Sequence, residues 1–484
     1  MSTFRTKSNV PCLHSELPIT LGRLTDFPDD PISCMRQLQA THGDLAVLEE
    51  QGQRLVFVFG PEWNQRVLAD EKTFRSWFFA VRGPRNSAQR RLTSGLLSMN
   101  GEEHKRHRRM VMQPFQKKTI AGYHEAICRL TTEMLQTWQI GEVRDMHAEM
   151  TQFMLRLSSA LLFGLDQPQL VYRVGKKIDR WVHLNHQTGL GAVVSDSRST
   201  AGYDRLLDLA ENLEDDIQQM IDNRRRSRNR RTDVLSLLIR AHDQQGGEVC
   251  DEKLIGHAAL LFGAAHLTTA HTLTWTLFLL AEHPSIMRGV ADEMALALTN
   301  PTPMPQEVTQ RPYLERVIKE SMRLLPASGY LQRLTSEPVE LGPLKLSRGT
   351  PVIFSQFMTH HLPALYPDPE RFLPDRWLEI SPSAYAYLPF GAGSRMCIGG
   401  PLAMMIVKTA LPMILERYRL TVLPGAEISG KIISSMLGPI TSVPMLLSPL
   451  DGRFEASPVT GNIHSLVHLH EAPLTDQSEI RRAA

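Results

Sequence analysis

A mainly α fold with small β-sheets, built as a single domain, is predicted by three features of the sequence. From Ile120 to Arg226 apolar residues recur at helical spacing almost without interruption. The stretch Leu254 to Ala281 is the most apolar in the chain, yet it carries His257, His266, His271 and several threonines, which marks a buried central helix rather than a bilayer span. The strand-like runs, in contrast, are short. By length alone, 484 residues match about three average domains. No repeat and no proline- or serine-rich linker divides them, so one large domain is expected: residues 1–40 as an N-terminal lead-in, 41–450 as the domain itself, and 451–484 as a peripheral tail.

Taken in order, Leu45-Ala46-Val47-Leu48 and Leu55-Val56-Phe57-Val58-Phe59 predict a β-hairpin, followed by a helix from Glu62 to about Asp70. Phe74 to Leu97 has no clean period and reads as a long loop of the functional kind. A helix opens at Gly101 and places His104 and Arg108 on one face. Met146, Met150, Met154, Leu157 and Leu161 form a stripe that reads as core. Asn185 to Thr200, rich in glycine, serine and threonine, breaks the helical run. Arg224 to Arg231 is a basic run expected in a solvated loop, after which Thr232 restarts a helix. Glu320 and Arg323 sit three apart on a helix and can pair. Gly342–Leu346 and Gly349–Phe354 are further short strands, and a last hairpin lies around Gly438-Pro439-Ile440.

Composition excludes several classes. Hydrophobic and charged fractions of 42% and 21% are those of a soluble globular protein, and a net charge of +2 argues against nucleic acid as a partner. The five cysteines are scattered with no Cys-x-x-Cys pair, so neither a zinc site nor a disulfide framework is expected. A reducing, cytoplasmic setting fits. Met1 to Asp30 holds no apolar run, so no signal peptide or membrane anchor is expected.

The chemistry centres on Leu388-Pro389-Phe390-Gly391-Ala392-Gly393-Ser394-Arg395-Met396-Cys397-Ile398-Gly399-Gly400. Glycines let backbone amides crowd the Cys397 sulfur, and amides plus a following helix N-terminus favour its thiolate, a ligand for a soft or borderline metal. The spacing of Phe390, Gly393, Arg395, Cys397 and Gly399 resembles the haem-binding signature of the cytochrome P-450 family. A second segment, Gly263-Ala264-Ala265-His266-Leu267-Thr268, resembles that family's oxygen-binding segment, except that Leu267 stands where an acid is commonest.

The resemblance implies a single haem domain enclosing haem b (iron protoporphyrin IX), with Cys397 as iron ligand and Phe390, Gly393, Arg395 and Gly399 in the cofactor loop. It makes His104, Arg108, Arg333 and Arg395 haem-binding residues, the first three with propionates as their partners, and Thr268 catalytic. His266, His271 or a water chain would replace the missing acid. Arg371 and Arg376 both lie in segments that could complete a structural Glu320–Arg323 cluster, and family separation favours Arg376. The resemblance also makes Asn185–Thr200 a lid, and sets Ala327, Ser328 and Gly329 beside a small apolar organic substrate. Trp77, Phe78, Phe79 and Leu97 suggest an apolar pocket, which the last hairpin would reach. The implied activity is a monooxygenase using O2 and a separate ferredoxin- or flavodoxin-type electron donor with its reductase, docked near Lys105, Arg106, Lys117 and Lys118. A peroxide-using or non-redox haem enzyme and a non-catalytic haem sensor or carrier are the alternatives.

Overall fold

A helix that is apolar all round is stable only when covered on every side. The Leu254–Ala281 stretch meets that demand, with every residue from Leu273 to Ala281 buried. In the computed structural model, which describes residues 17–77, 81–164, 168–191, 197–227, 231–244, 251–298 and 311–469, it packs against helices Met146–Phe163, Pro312–Leu324 and Gly400–Leu415. The single helix expected is two, Asp251–Ala265 and Leu267–Ala281, separated at His266. The Thr268 and Thr269 hydroxyls donate back to the carbonyls of Ala264 and Ala265 at 3.0 and 3.2 Å, a local competition that favours a bend there.

The main sheet has six strands, in the order Ile19–Leu21, Leu45–Glu50, Gln53–Val58, Pro351–Phe354, Leu331–Thr335 and Phe74–Ser76. The predicted hairpin turns at Gln51 and Gly52, whose φ values of 50° and 81° suit a two-residue turn. Leu331–Thr335 and Pro351–Phe354 pair antiparallel, which fixes Arg333 opposite Val352. A second sheet joins Arg419–Val422, Pro444–Ser448 and Val143–Asp145. Gly430–Ile433 and Met436–Pro439 form the last hairpin.

Several elements differ from expectation. Phe74–Leu97 is not one loop: it holds a strand (Phe74–Ser76), a short helix (Ala88–Leu92) capped by Ser87, and the start of a 3-10 turn (Leu96–Ser98). Each is too short to show a period. The helix Pro168–Gly191 runs into the first part of the expected Asn185–Thr200 break, and the next helix begins at Ser197. Part of that break, residues 192–196, lies outside the described residues.

Arg224 and Arg225 are not in a solvated loop but end the Ser197–Arg226 helix. Arg224 pairs with Asp233 at 3.0 Å, and Arg225 with Asp243 and Asp251 at 2.8 Å each, cations suited to a helix C-terminus. The described part of the lead-in holds a helix: Pro31–His42, capped by Asp30, buries Met35. Of the tail read as peripheral, the described residues 451–469 enter the core, where Ile463, Leu466 and Val467 are buried. The methionine stripe is core, as predicted.

Candidate active site

The cysteine loop is positioned by a buried charge cluster. Glu320 and Arg323, three apart on the Pro312–Leu324 helix, are both fully buried and pair at 2.9 Å. Arg376 Nε closes on the same Glu320 Oε1 at 2.8 Å, while Trp377 Nε1 donates to Glu320 Oε2 at 3.1 Å. Arg371 contributes only its carbonyl, and its half-exposed side chain lies 3.8 Å from Asp368. Arg323 also bonds the carbonyls of His360 and Pro369. His360 completes the link: its Nδ1 donates to Arg323 O, so its Nε2 accepts from Leu388 N at 2.8 Å, where the cysteine loop begins.

Within the loop, Cys397 N donates to Phe390 O at 2.9 Å. Gly393 has φ 71°, and a Cβ there would lie 2.5 Å from Leu68 O, so only glycine passes. Gly393 does not itself face the cavity; Phe390, Arg395, Cys397 and Gly399 do. Burial pushes the Cys397 thiol up from its ordinary pKa, against the Gly399 and Gly400 amides and Arg108, which pull it down. The amide cradle expected from sequence is present.

Above Cys397 lies a cavity of about 450 Å³. His104, Arg108, Arg333 and Arg395 meet at its wall. Burial, with Arg395 and Arg108 beside it, pushes His104 down to about 4, so its imidazole is neutral. Burial and the neighbouring Arg395 pull Arg333 down to about 10, and burial does the same to Arg395. The hydrogen bonds of these arginines go to uncharged oxygens: Arg108 to Met396 O, Arg333 to Gln332 O, Arg395 to Met99 O and Asn100 Oδ1. His104 Nδ1 and Arg395 Nε have no hydrogen-bond partner. Arg333 is buried, Arg108 and Arg395 partly so, and among the described residues only Arg395 of the three has a carboxylate, Glu71, beside it, so the cluster has room for anions. A flat cofactor carrying two carboxylates and a metal fits the set.

The central helix supplies the opposite wall through Gly263, Ala264, Ala265 and Thr268. Neither histidine offered as a replacement acid lines this cavity. His266 turns away to Asp179 at 2.8 Å, and His271 packs against His147 and the backbone of Gly438. Ala327 and Ser328 line the cavity, whereas Gly329 lies behind them, bonding Ser435 O through its amide. The last hairpin reaches the cavity by its tip, Ser434–Met436, not by Gly438–Ile440. Trp77 and Leu97 also line it; Phe78 and Phe79 lie outside the described residues. Sequence reasoning missed Trp181 and Gln356, which no spacing marks; Asn185, the first residue of the segment expected to be a lid, lines the cavity too.

Among the described residues no helix is long and apolar enough to cross a membrane. A solved structure, retinoic acid-bound cyanobacterial CYP120A1, shares the fold with a TM-score of 0.74 and 21% identity, covering 86% of this chain and 94% of that one. Cyclooctat-9-en-7-ol 5-monooxygenase of Streptomyces melanosporofaciens is 30% identical over 82% of this chain and 87% of its own length. Pentalenene oxygenase of Streptomyces avermitilis is 28% identical over 84% and 91%. The family model "Cytochrome P450" matches residues 16–443, nearly the whole described chain, and on that match and the similarity to these oxygenases the chain belongs to the cytochrome P450 family.

Proposed function

We propose that this cytochrome P450 inserts one oxygen atom from O2 into an apolar, ring-bearing terpenoid, drawing electrons from a separate ferredoxin- or flavodoxin-type donor and its reductase. Family membership makes it a haem-thiolate oxidoreductase acting on an organic substrate; the substrate class, the donor and haem b are the added reading. The observation that carries it is the cavity: one thiol and a cluster of cations at one end, and Leu96, Leu161, Trp181, Val182 and Leu260 around the rest. The relatives named for cyclooctat-9-en-7-ol and pentalenene point to the same chemical class.

Cys397 would hold the haem iron and His104, Arg108, Arg333 and Arg395 its propionates. A thiolate-held haem iron supplies the chemistry, favouring O–O cleavage. The chain's own residues prepare the site. Gly263 and Ala264 leave room beside the helix, and the apolar wall excludes bulk water. Thr268 Oγ1 donates to Ala264 O at 3.0 Å, which leaves its lone pairs free to accept from a water. With Leu267 aprotic and His266 turned away, water held at Thr268 is the proton route. Exposed Lys105, Arg106, Lys117 and Lys118 would meet an acidic donor on the side where Arg108 touches Met396 O.

Leu267 favours a second reading, in which peroxide replaces O2 and the donor. Thr268→Ala separates the two. In the monooxygenase, product per NAD(P)H should fall several-fold and released hydrogen peroxide should rise, with substrate affinity nearly unchanged. Full coupling in Thr268→Ala, together with peroxide-driven turnover as fast as the reductase-driven rate, would establish the second reading.

A further inference from the structure

A second polar feature of the cavity lies where three segments meet. The residues on both sides of Gln356 donate to one carbonyl, Gly329 O: Ser355 through Oγ at 2.7 Å and Phe357 through its amide at 3.1 Å. Gly329 N in turn donates to Ser435 O at 2.7 Å, and Leu437 N to Ala327 O at 3.1 Å. Gln356, Ser328 and the hairpin tip are therefore stitched together, and Ser328, Gln356, Ser434, Ser435 and Met436 all line the cavity. Ser434 and Ser435 hold φ values of 49° and 91°, which L-residues seldom adopt, to bring that tip in.

Gln356 is 1% exposed, yet its Oε1 accepts no hydrogen bond, and Ser328 Oγ has no partner either. A buried acceptor left unmet is costly, so residues of this kind are kept where something meets them. Met322, Leu331 and Phe354 also line the cavity and supply apolar surface.

We propose that this niche binds a hydroxyl group of the substrate, which accepts from Ser328 Oγ and donates to Gln356 Oε1. The substrate class is thus an apolar ring skeleton carrying one alcohol, and the niche fixes which carbon is presented for oxygenation. A ketone or ether oxygen only accepts and would leave Oε1 unmet. The proposal rests on the reading of the cavity as a substrate site, but binding can be read without turnover, so the niche and the reaction fail separately.

The test is a spectral titration of the haem-loaded enzyme with cedrol, cedryl methyl ether and α-cedrene. Cedrol should bind about tenfold more tightly than the other two. Gln356→Leu should bring cedrol within about twofold of the ether, which can still accept from Ser328, mainly by weakening cedrol, and Ser328→Ala should weaken cedrol as well. If Gln356→Leu fails to load haem, Ser328→Ala decides alone. Equal affinities in the wild type would mean that the niche serves only water and would overturn the proposal. So would ether binding as tightly as alcohol, an unchanged preference in the variants, or no response to any of the three.

Discussion

Cys397→Ala should abolish the red-shifted Soret band that the reduced carbon monoxide complex of a thiolate-held haem displays. Among the described cysteines Cys397 alone lines the cavity, and its sulfur receives the Gly399 and Gly400 amides. The other described cysteines, Cys34 and Cys128, lie elsewhere, and burial holds both thiols above their ordinary pKa. Neither can substitute, because neither lines the cavity. The loss should therefore be complete, and haem content should fall with it. Retention of the band in Cys397→Ala would remove this residue from the iron.

Arg376→Ala should be strongly damaging although the residue lies away from the cavity. Glu320 is fully buried, and removing one partner of a buried ion pair costs about 3–5 kcal/mol. Because Arg323, Trp377 and the Leu373 amide still hold Glu320, the lower end applies. That is a large share of the roughly 5–15 kcal/mol that stabilises a protein. The loss should reach the haem, because Arg323 connects through His360 to Leu388 at the start of the cysteine loop. Arg371→Ala, whose side chain meets only a partly exposed Asp368, should cost below about 1 kcal/mol. Urea unfolding and haem content compare the two variants. Equal losses would contradict the assignment of Arg376.

What could be read from the sequence was whatever local spacing controls. Helical period gave the buried central stretch and the methionine stripe, and fixed offsets gave the cysteine loop and the 104/108 pair. Elements too short for a period were missed, as in Phe74–Leu97, where the strand exists only because Leu331–Thr335 offers it an edge. The break at His266 depends on hydroxyls four residues apart competing with the helix ladder, which a threonine-rich run permits but does not dictate. Arg224 and Arg225 looked solvated because their partners, Asp233, Asp243 and Asp251, come from later segments. Gln356 and Trp181 reach the cavity through tertiary packing alone, and nothing local marks them.

The most direct test of the monooxygenase reading is the origin of the oxygen in the product. A terpenoid that shifts the haem spectrum should be turned over with NADPH, a ferredoxin or flavodoxin and its reductase, under isotopically labelled O2 in ordinary water. The account predicts one labelled oxygen atom per product molecule and no product without the electron donor. Product formed without the donor, or carrying oxygen from water or added peroxide, would contradict it.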